Sequence, residues 1–389
     1  MYDFNHITDR KNTRSAKWSN PELLPLWVAD MDFESPPEVA EAITARAKHN
    51  LYGYDRLPEK YFETLINWFE KQWDLKVKQE WVVPSSGVVE AIFFAIRSYT
   101  IPGDAVVIQP PVYHPFALSV LYSGRQLVNN PLVKSGESDK PGGKYQVDFV
   151  DLEKKLADPL VKMLILCNPH NPVGRVYTVE ELKKIGELAL KYDVIVVSDE
   201  IHGDLVLGSK KHVSFSGICE EFANNSITCT APSKTFNLAG LSTSNIIIPN
   251  EKLRLKFSGY LQRRGIHGGN LFGFIAAEAA YRTGGQWLAE LLVYLEENAK
   301  YLKDYLEENL KNIYAEDLEG TYLMWLDFRK LNLSDDELDN LIKTKAKLWL
   351  SSGHQFGAEG SGFMRVNIAT PREILKRALE QLEAAVKSL

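Results

Sequence analysis

A chain of 389 residues with 45% hydrophobics and a net charge of −6 can bury a large core and divides into about two domains. The acidic balance, with no long basic run, argues against a nucleic-acid partner. No stretch reaches the length of a membrane span, and the opening MYDFNHITDRKN has no apolar leader region, so a cytoplasmic protein is expected. Three cysteines (Cys167, Cys219, Cys229) lack a CxxC pattern and read as reduced residues. Eight histidines show no HExxH spacing, so no metal site is indicated.

In chain order, Trp27-Val28-Ala29-Asp30-Met31-Asp32-Phe33 mixes apolar and acidic residues with neither helix nor strand period, and reads as a packed loop. Ser35 reads as the N-cap of a helix opened by Pro36-Pro37 and running over 38–49. Tyr52-Gly53-Tyr54-Asp55 leads into a helix over 59–73, whose face is Phe62, Leu65, Ile66 and Phe69. Val82-Val83-Pro84 runs into Ser85-Ser86-Gly87-Val88 and an apolar helix to Tyr99. Strand, small-residue turn and helix N-terminus form a geometry that binds anions through free N–H groups, though an ordinary helix start reads alike. The strand Asp104–Ile108 is closed by Gln109-Pro110-Pro111-Val112-Tyr113-His114-Pro115, and the polar residues 132–145 read as an exposed loop.

Three further strands each end on a polar side chain. Met163–Cys167 runs into Asn168-Pro169-His170-Asn171, Val194–Ser198 into Asp199-Glu200-Ile201-His202, and Ser226–Thr230 into Ala231-Pro232-Ser233-Lys234. A helix over 178–192 joins the first two as a right-handed crossover in a parallel sheet. An amide, a carboxylate and a lysine therefore converge at the carboxyl ends of strands, where open α/β sheets build their sites. Burial would lower the pKa of such a lysine and free its amine as a nucleophile or base. This set suits pyridoxal 5′-phosphate (PLP): the lysine forms the Schiff base, and the aspartate keeps the pyridine nitrogen protonated. Downstream, a helical pattern over 286–312 precedes strands at Gly320–Asp327 and Gly362–Ala369. In the second, Met364, Val366 and Ile368 share one face, so Arg365 points to the other with Asn367. There it offers a fork for a carboxylate, or forms a structural ion pair.

NPHNPVG, SDEIH and SKTFNLAGL, in this order and spacing, resemble the class I and II aminotransferase superfamily, PLP fold type I. DRKNTRSAKW, LPLWVADMDFESPP, GTYLMWLDFR and GFMRVNIATPRE are similar to one branch of it, the cystathionine β-lyase (C–S lyase) group of the MalY and PatB type. The resemblance implies an α/β fold. A large PLP-binding domain, residues 46–285, would hold a mostly parallel seven-stranded sheet flanked by helices, with a smaller α+β domain from residues 1–45 and 286–389. It implies Lys234 as the catalytic and cofactor-bearing residue, Asp199 at the ring nitrogen, Asn171 at the 3′-oxygen and Tyr113 stacked on the ring. Ser86, Gly87, Val88 and Ser233 would hold the phosphate; the arginine common after the lysine is absent, with Leu241 and Ser242 standing there. His202 takes the place of a tyrosine found in many aminotransferases. Tyr54, or Tyr52 beside it, would reach the phosphate of a neighbouring subunit in a homodimer with shared sites. Arg365 would clamp the substrate carboxylate, near Ala29 and Asn171, while His354 and Gln355 read as entrance residues.

With these residues, the lysine amine removes the α-proton of a bound amino acid. A leaving group on Cβ then gives elimination to a thiol, pyruvate and ammonia; reprotonation at the cofactor gives transamination. Residue chemistry alone serves both. The lyase-branch motifs, and the lack of a clear second arginine for a dicarboxylate, favour a carbon–sulfur lyase (EC 4.4.1.-) acting on L-cystathionine or related cysteine S-conjugates. The alternative is an aminotransferase for a neutral or aromatic amino acid.

Overall fold

The computed structural model describes residues 2–10, 13–135, 143–266 and 268–389. Its centre is a seven-stranded sheet, in the order Val82–Ser85, Ser244–Ile247, Ser226–Thr230, Ile195–Asp199, Val161–Cys167, Ala105–Ile108, Gln126–Asn129. Only Ser244–Ile247 runs antiparallel to its neighbours; every other pairing is parallel. The mostly parallel seven-stranded sheet expected from the sequence is therefore present. Strands buried on both faces need apolar side chains at every position, and here they alternate between two cores. Leu164, Leu166 and Val196 pack with Leu182 and Ile185 of the helix Val179–Lys191. Met163, Ile165 and Val197 pack with Ala91, Ile92 and Ile96 of the helix Val88–Tyr99. Thr178 and Glu181 close a reciprocal capping box at the start of the first helix.

A second, antiparallel sheet is ordered Tyr314–Ala315, Leu323–Asp327, Phe363–Asn367, Ser351–Ser352. Met364, Val366 and Ile368 face a core shared with Leu302 and Leu306 of the helix Gly285–Asn309 and with Leu375 and Leu379 of the helix Arg372–Val386. The N-terminal chain joins this part of the molecule, pairing Leu24–Pro25 in parallel with Leu348–Trp349.

Three local expectations need correction. The first helix spans Pro37–Lys48 with Pro36, not Ser35, at the N-cap and no side-chain cap, because Pro37 takes the first helical turn and leaves Ser35 outside. The stretch 132–145 is not a plain loop: Leu132–Lys134 and Tyr145–Val147 pair as an antiparallel hairpin, and residues 136–142 of that reading lie outside the described residues. The pattern over 286–312 forms the helix Gly285–Asn309, with Leu310 as its C-cap.

The segment Trp27–Phe33 is irregular, as its composition suggests, so side chains must satisfy its backbone. Asn237 does much of this. Its Oδ1 accepts from Met31 N–H at 3.0 Å, and its Nδ2 donates to the carbonyls of Met31 (3.1 Å) and Phe33 (3.0 Å). Asn237 itself sits at φ 59°, a left-handed conformation that asparagine tolerates better than alanine. Asn237→Ala should cost about 3 kcal/mol from lost hydrogen bonds and backbone strain, measurable as a fall of several degrees in melting temperature. Asn237→Gly, which loses the same hydrogen bonds but not the conformational tolerance, should recover part of it.

Candidate active site

A cavity of about 330 Å³ lies where the parallel strands end and Arg365 of the second sheet approaches them. Of the residues singled out in the sequence, Ala29, Ser86, Gly87, Val88, Tyr113, Asn171, Asp199, His202, Ser233, Lys234 and Arg365 all line it. Tyr54 does not: it is fully exposed, and Tyr52 is also exposed. Gln355 lines the cavity, whereas His354 is exposed and outside it.

Lys234 sits on a one-turn helix, Pro232–Thr235, immediately after its strand. That turn is pinned from behind. Thr235 Oγ1 donates to Asp204 Oδ2 at 2.7 Å, and the indoles of Trp68 and Trp73 donate to Asp204 Oδ1 at 3.0 and 2.7 Å. Lys234 Nζ donates to the Ala29 carbonyl at 2.7 Å. Burial, joined by the Arg365 cation, brings the lysine down to a pKa of about 8, while Asp30 and Asp199 oppose the shift. The fall with burial follows the expectation for a lysine at this position.

Asp199 ends its strand and accepts one backbone hydrogen bond, from Ile201 N–H at 3.1 Å. Burial pushes its carboxyl up to about 7; the Ile201 hydrogen bond opposes this. A buried carboxylate with so little support is completed by a cationic N–H donor. His202 is buried with Nδ1 unpartnered. Burial, Lys234 and Arg365 hold it well below the usual histidine range, and so neutral. Gly87 caps the helix Val88–Tyr99 without any side-chain cap, and Ser86, Gly87, Val88 and Val89 at that helix start line the cavity. Ser233 adds a hydroxyl to the cavity lining.

Arg365 is buried, and no described residue forms a salt bridge with it. Its Nη1 donates to Asn171 Oδ1 at 2.8 Å, and its Nη2 to the Trp27 carbonyl (2.7 Å) and Ser351 Oγ (3.1 Å). Nε has no partner, and the guanidinium lies 4.8 Å from the centre of the Phe356 ring. Burial brings it down to about 10. The structural ion pair considered from the sequence is therefore absent among the described residues. A fork held only by neutral groups is suited to an incoming carboxylate.

Ser351, Phe356, His114 and Thr243, to which the sequence assigned no role, also line the cavity. Ser242, which stands with Leu241 where the arginine is absent, lines the cavity beside Thr243, so this wall carries hydroxyls. Trp27 also lines the cavity and stacks on Trp349 at 4.7 Å; its signal was the motif that contains it.

Sheet order and this convergence of Lys234, Asp199 and Asn171 define an α/β protein of PLP fold type I. Residues 21–382 match the aminotransferase class I and II family, and the chain belongs to it. Within the family it is 44% identical to cystathionine β-lyase PatB of Bacillus subtilis, over 99% of this chain and 100% of that one. It is 31% identical to protein MalY of Escherichia coli over the full length of both. The crystal structure of cystalysin from Treponema denticola, which contains a pyridoxal 5′-phosphate cofactor, superposes with a TM-score of 0.96 at 38% identity, covering 100% of this chain and 99% of that one.

The lysine's electrostatics are directly measurable. In cofactor-free protein, condensation of an aldehyde probe with Lys234 needs the neutral amine, so its rate should rise with pH and level off above about pH 8. Arg365→Leu removes a cation that disfavours the ammonium, so the midpoint of that profile should move to higher pH.

Proposed function

We propose that this protein is a PLP-dependent carbon–sulfur lyase that cleaves L-cystathionine, or a related cysteine S-conjugate, by β-elimination to a thiol (homocysteine), pyruvate and ammonia. The observation that carries this reading is the cavity's charge inventory. Among the described residues lining it, Arg365 is the sole arginine and Lys234 the sole lysine, so one carboxylate is provided for. Around that fork stand Trp27, Tyr113 and Phe356, which suit an uncharged thioether better than a second carboxylate. Full-length similarity to a protein named cystathionine β-lyase supports the choice of elimination.

PLP, when bound, supplies an electron sink for the charge left at Cα. In this reading Asp199 holds its ring nitrogen, Asn171 and His202 face the 3′-oxygen side, and Tyr113 covers the ring. Ser86, Gly87, Val88 and Ser233 take the phosphate through neutral donors and the helix N-terminus. Arg365 fixes the substrate carboxylate, beside Ala29 and Asn171, and so sets the Cα–H bond towards Lys234. Lys234 carries the cofactor and then accepts that proton; a pKa of about 8 keeps a useful share of its amine neutral near pH 7. The exposed Tyr54 is accounted for by a homodimer, in which it reaches the other subunit's phosphate. The same reading divides the chain into a large domain (46–285) and a small one (1–45 with 286–389), in a cytoplasmic enzyme.

PLP-loaded protein incubated with L-cystathionine, without any keto acid, should release homocysteine, pyruvate and ammonia in equal amounts. Lys234→Ala should abolish all three, and Arg365→Leu should lower kcat/KM by about a hundredfold, mainly through KM. Products that form only after a keto acid is added, with the amino group passed to it, would make the protein an aminotransferase instead.

A further inference from the structure

Behind the cavity, the N-terminal chain builds a partly buried charge cluster whose residues do not line it. Lys17 is completely buried; its ammonium donates to Asp32 Oδ2 (2.7 Å) and to the Asp30 carbonyl (2.8 Å). Arg10 bridges Asp30 (2.9 Å) and Asp32 (3.1 Å) and also donates to the Met31 carbonyl (3.0 Å). Among the described residues, two cations meet two carboxylates here, so their charges balance. Buried ion pairs of this kind are poor net stabilisers compared with apolar packing, so stability alone accounts badly for a fully buried lysine.

Its targets suggest another role. Every carbonyl from Trp27 to Met31 accepts from a side chain. Trp27 O takes Arg365, Val28 O takes Asn367 (2.7 Å), Ala29 O takes Lys234, Asp30 O takes Lys17 and Asn367 (2.8 Å), and Met31 O takes Arg10. One irregular strip of backbone thus carries the acceptors for both the carboxylate fork and the lysine, and the cluster grips the far end of that strip. We propose that Lys17, assisted by Arg10, is a positioning residue: it fixes the Trp27–Met31 carbonyls, against which Arg365 and Lys234 are aimed, and so sets the affinity for the substrate carboxylate. This rests on Arg365 being the carboxylate site.

The test uses PLP-loaded enzyme and 3-(methylthio)propionate, a thioether acid without an amino group, with binding measured by calorimetry. Lys17→Met should weaken this ligand about tenfold and raise the KM for L-cystathionine in parallel, with kcat within about threefold and cofactor absorbance unchanged. A fall in melting temperature with undiminished ligand binding would overturn the proposal, leaving Lys17 a purely structural residue. Lys17→Met combined with Asp32→Asn restores charge balance without restoring the contact to the Asp30 carbonyl; recovery of binding in this double variant would also overturn it. If Lys17→Met does not fold, Arg10→Gln, at a partly exposed position, carries the same test with an expected loss of about threefold, and unchanged binding sinks the idea. Arg365→Leu serves as the reference. Should it bind the thioether acid normally, the assignment of the carboxylate site fails, and with it this inference. Should it abolish binding while Lys17→Met has no effect, only the positioning role fails.

Discussion

Burying a guanidinium without a counter-charge costs several kcal/mol even after the surroundings relax, and much of this molecule is arranged to tolerate that cost at Arg365. The solution is solvation by neutral groups: an amide oxygen beyond the carboxyl end of an interior strand, a backbone carbonyl from the N-terminal chain, a hydroxyl from a two-residue strand and an aromatic face. A carboxylate in the same place would have been cheaper, but it would have satisfied the fork permanently. Three separate parts of the chain must therefore meet at one side chain, which ties the second sheet to the first.

The charges within the cavity also act on one another. Arg365 lowers the lysine's affinity for a proton, Asp199 raises it, and the lysine in turn eases the ionisation of Asp199. Desolvation dominates each of these shifts, so the depth of the site, more than any single pair, determines how the groups titrate. An arriving carboxylate and a positively charged ring would each supply what this arrangement lacks. The protein's own electrostatics are thus complementary to a carboxylate bound beside a protonated heterocycle.

How much of this was legible beforehand depended on local pattern. Asn171, Asp199 and Lys234 stood out because polar residues closing strongly apolar strands are unusual, and strand ends are where open sheets place chemistry. Arg365 followed from the two-residue period of a strand whose other face is apolar. Ser351 and Phe356 gave no such signal: a two-residue strand and a four-residue 3-10 helix are too short to show a period, and only tertiary packing brings them to the fork. The hairpin flanking residues 136–142 was hidden because three-residue strands are too short to outweigh the Gly- and Lys-rich composition between them. The cap at the first helix was misplaced by a single residue, since two consecutive prolines leave the serine outside.

The anchoring of the lysine-bearing turn has an optical side. Asp204 gathers the indole N–H groups of Trp68 and Trp73 onto the same carboxylate that holds Thr235, the residue next to Lys234. A displacement of that turn would change the polarity around two of the protein's eight tryptophans together. The chain's own ultraviolet emission therefore reports where the lysine stands, without any added label.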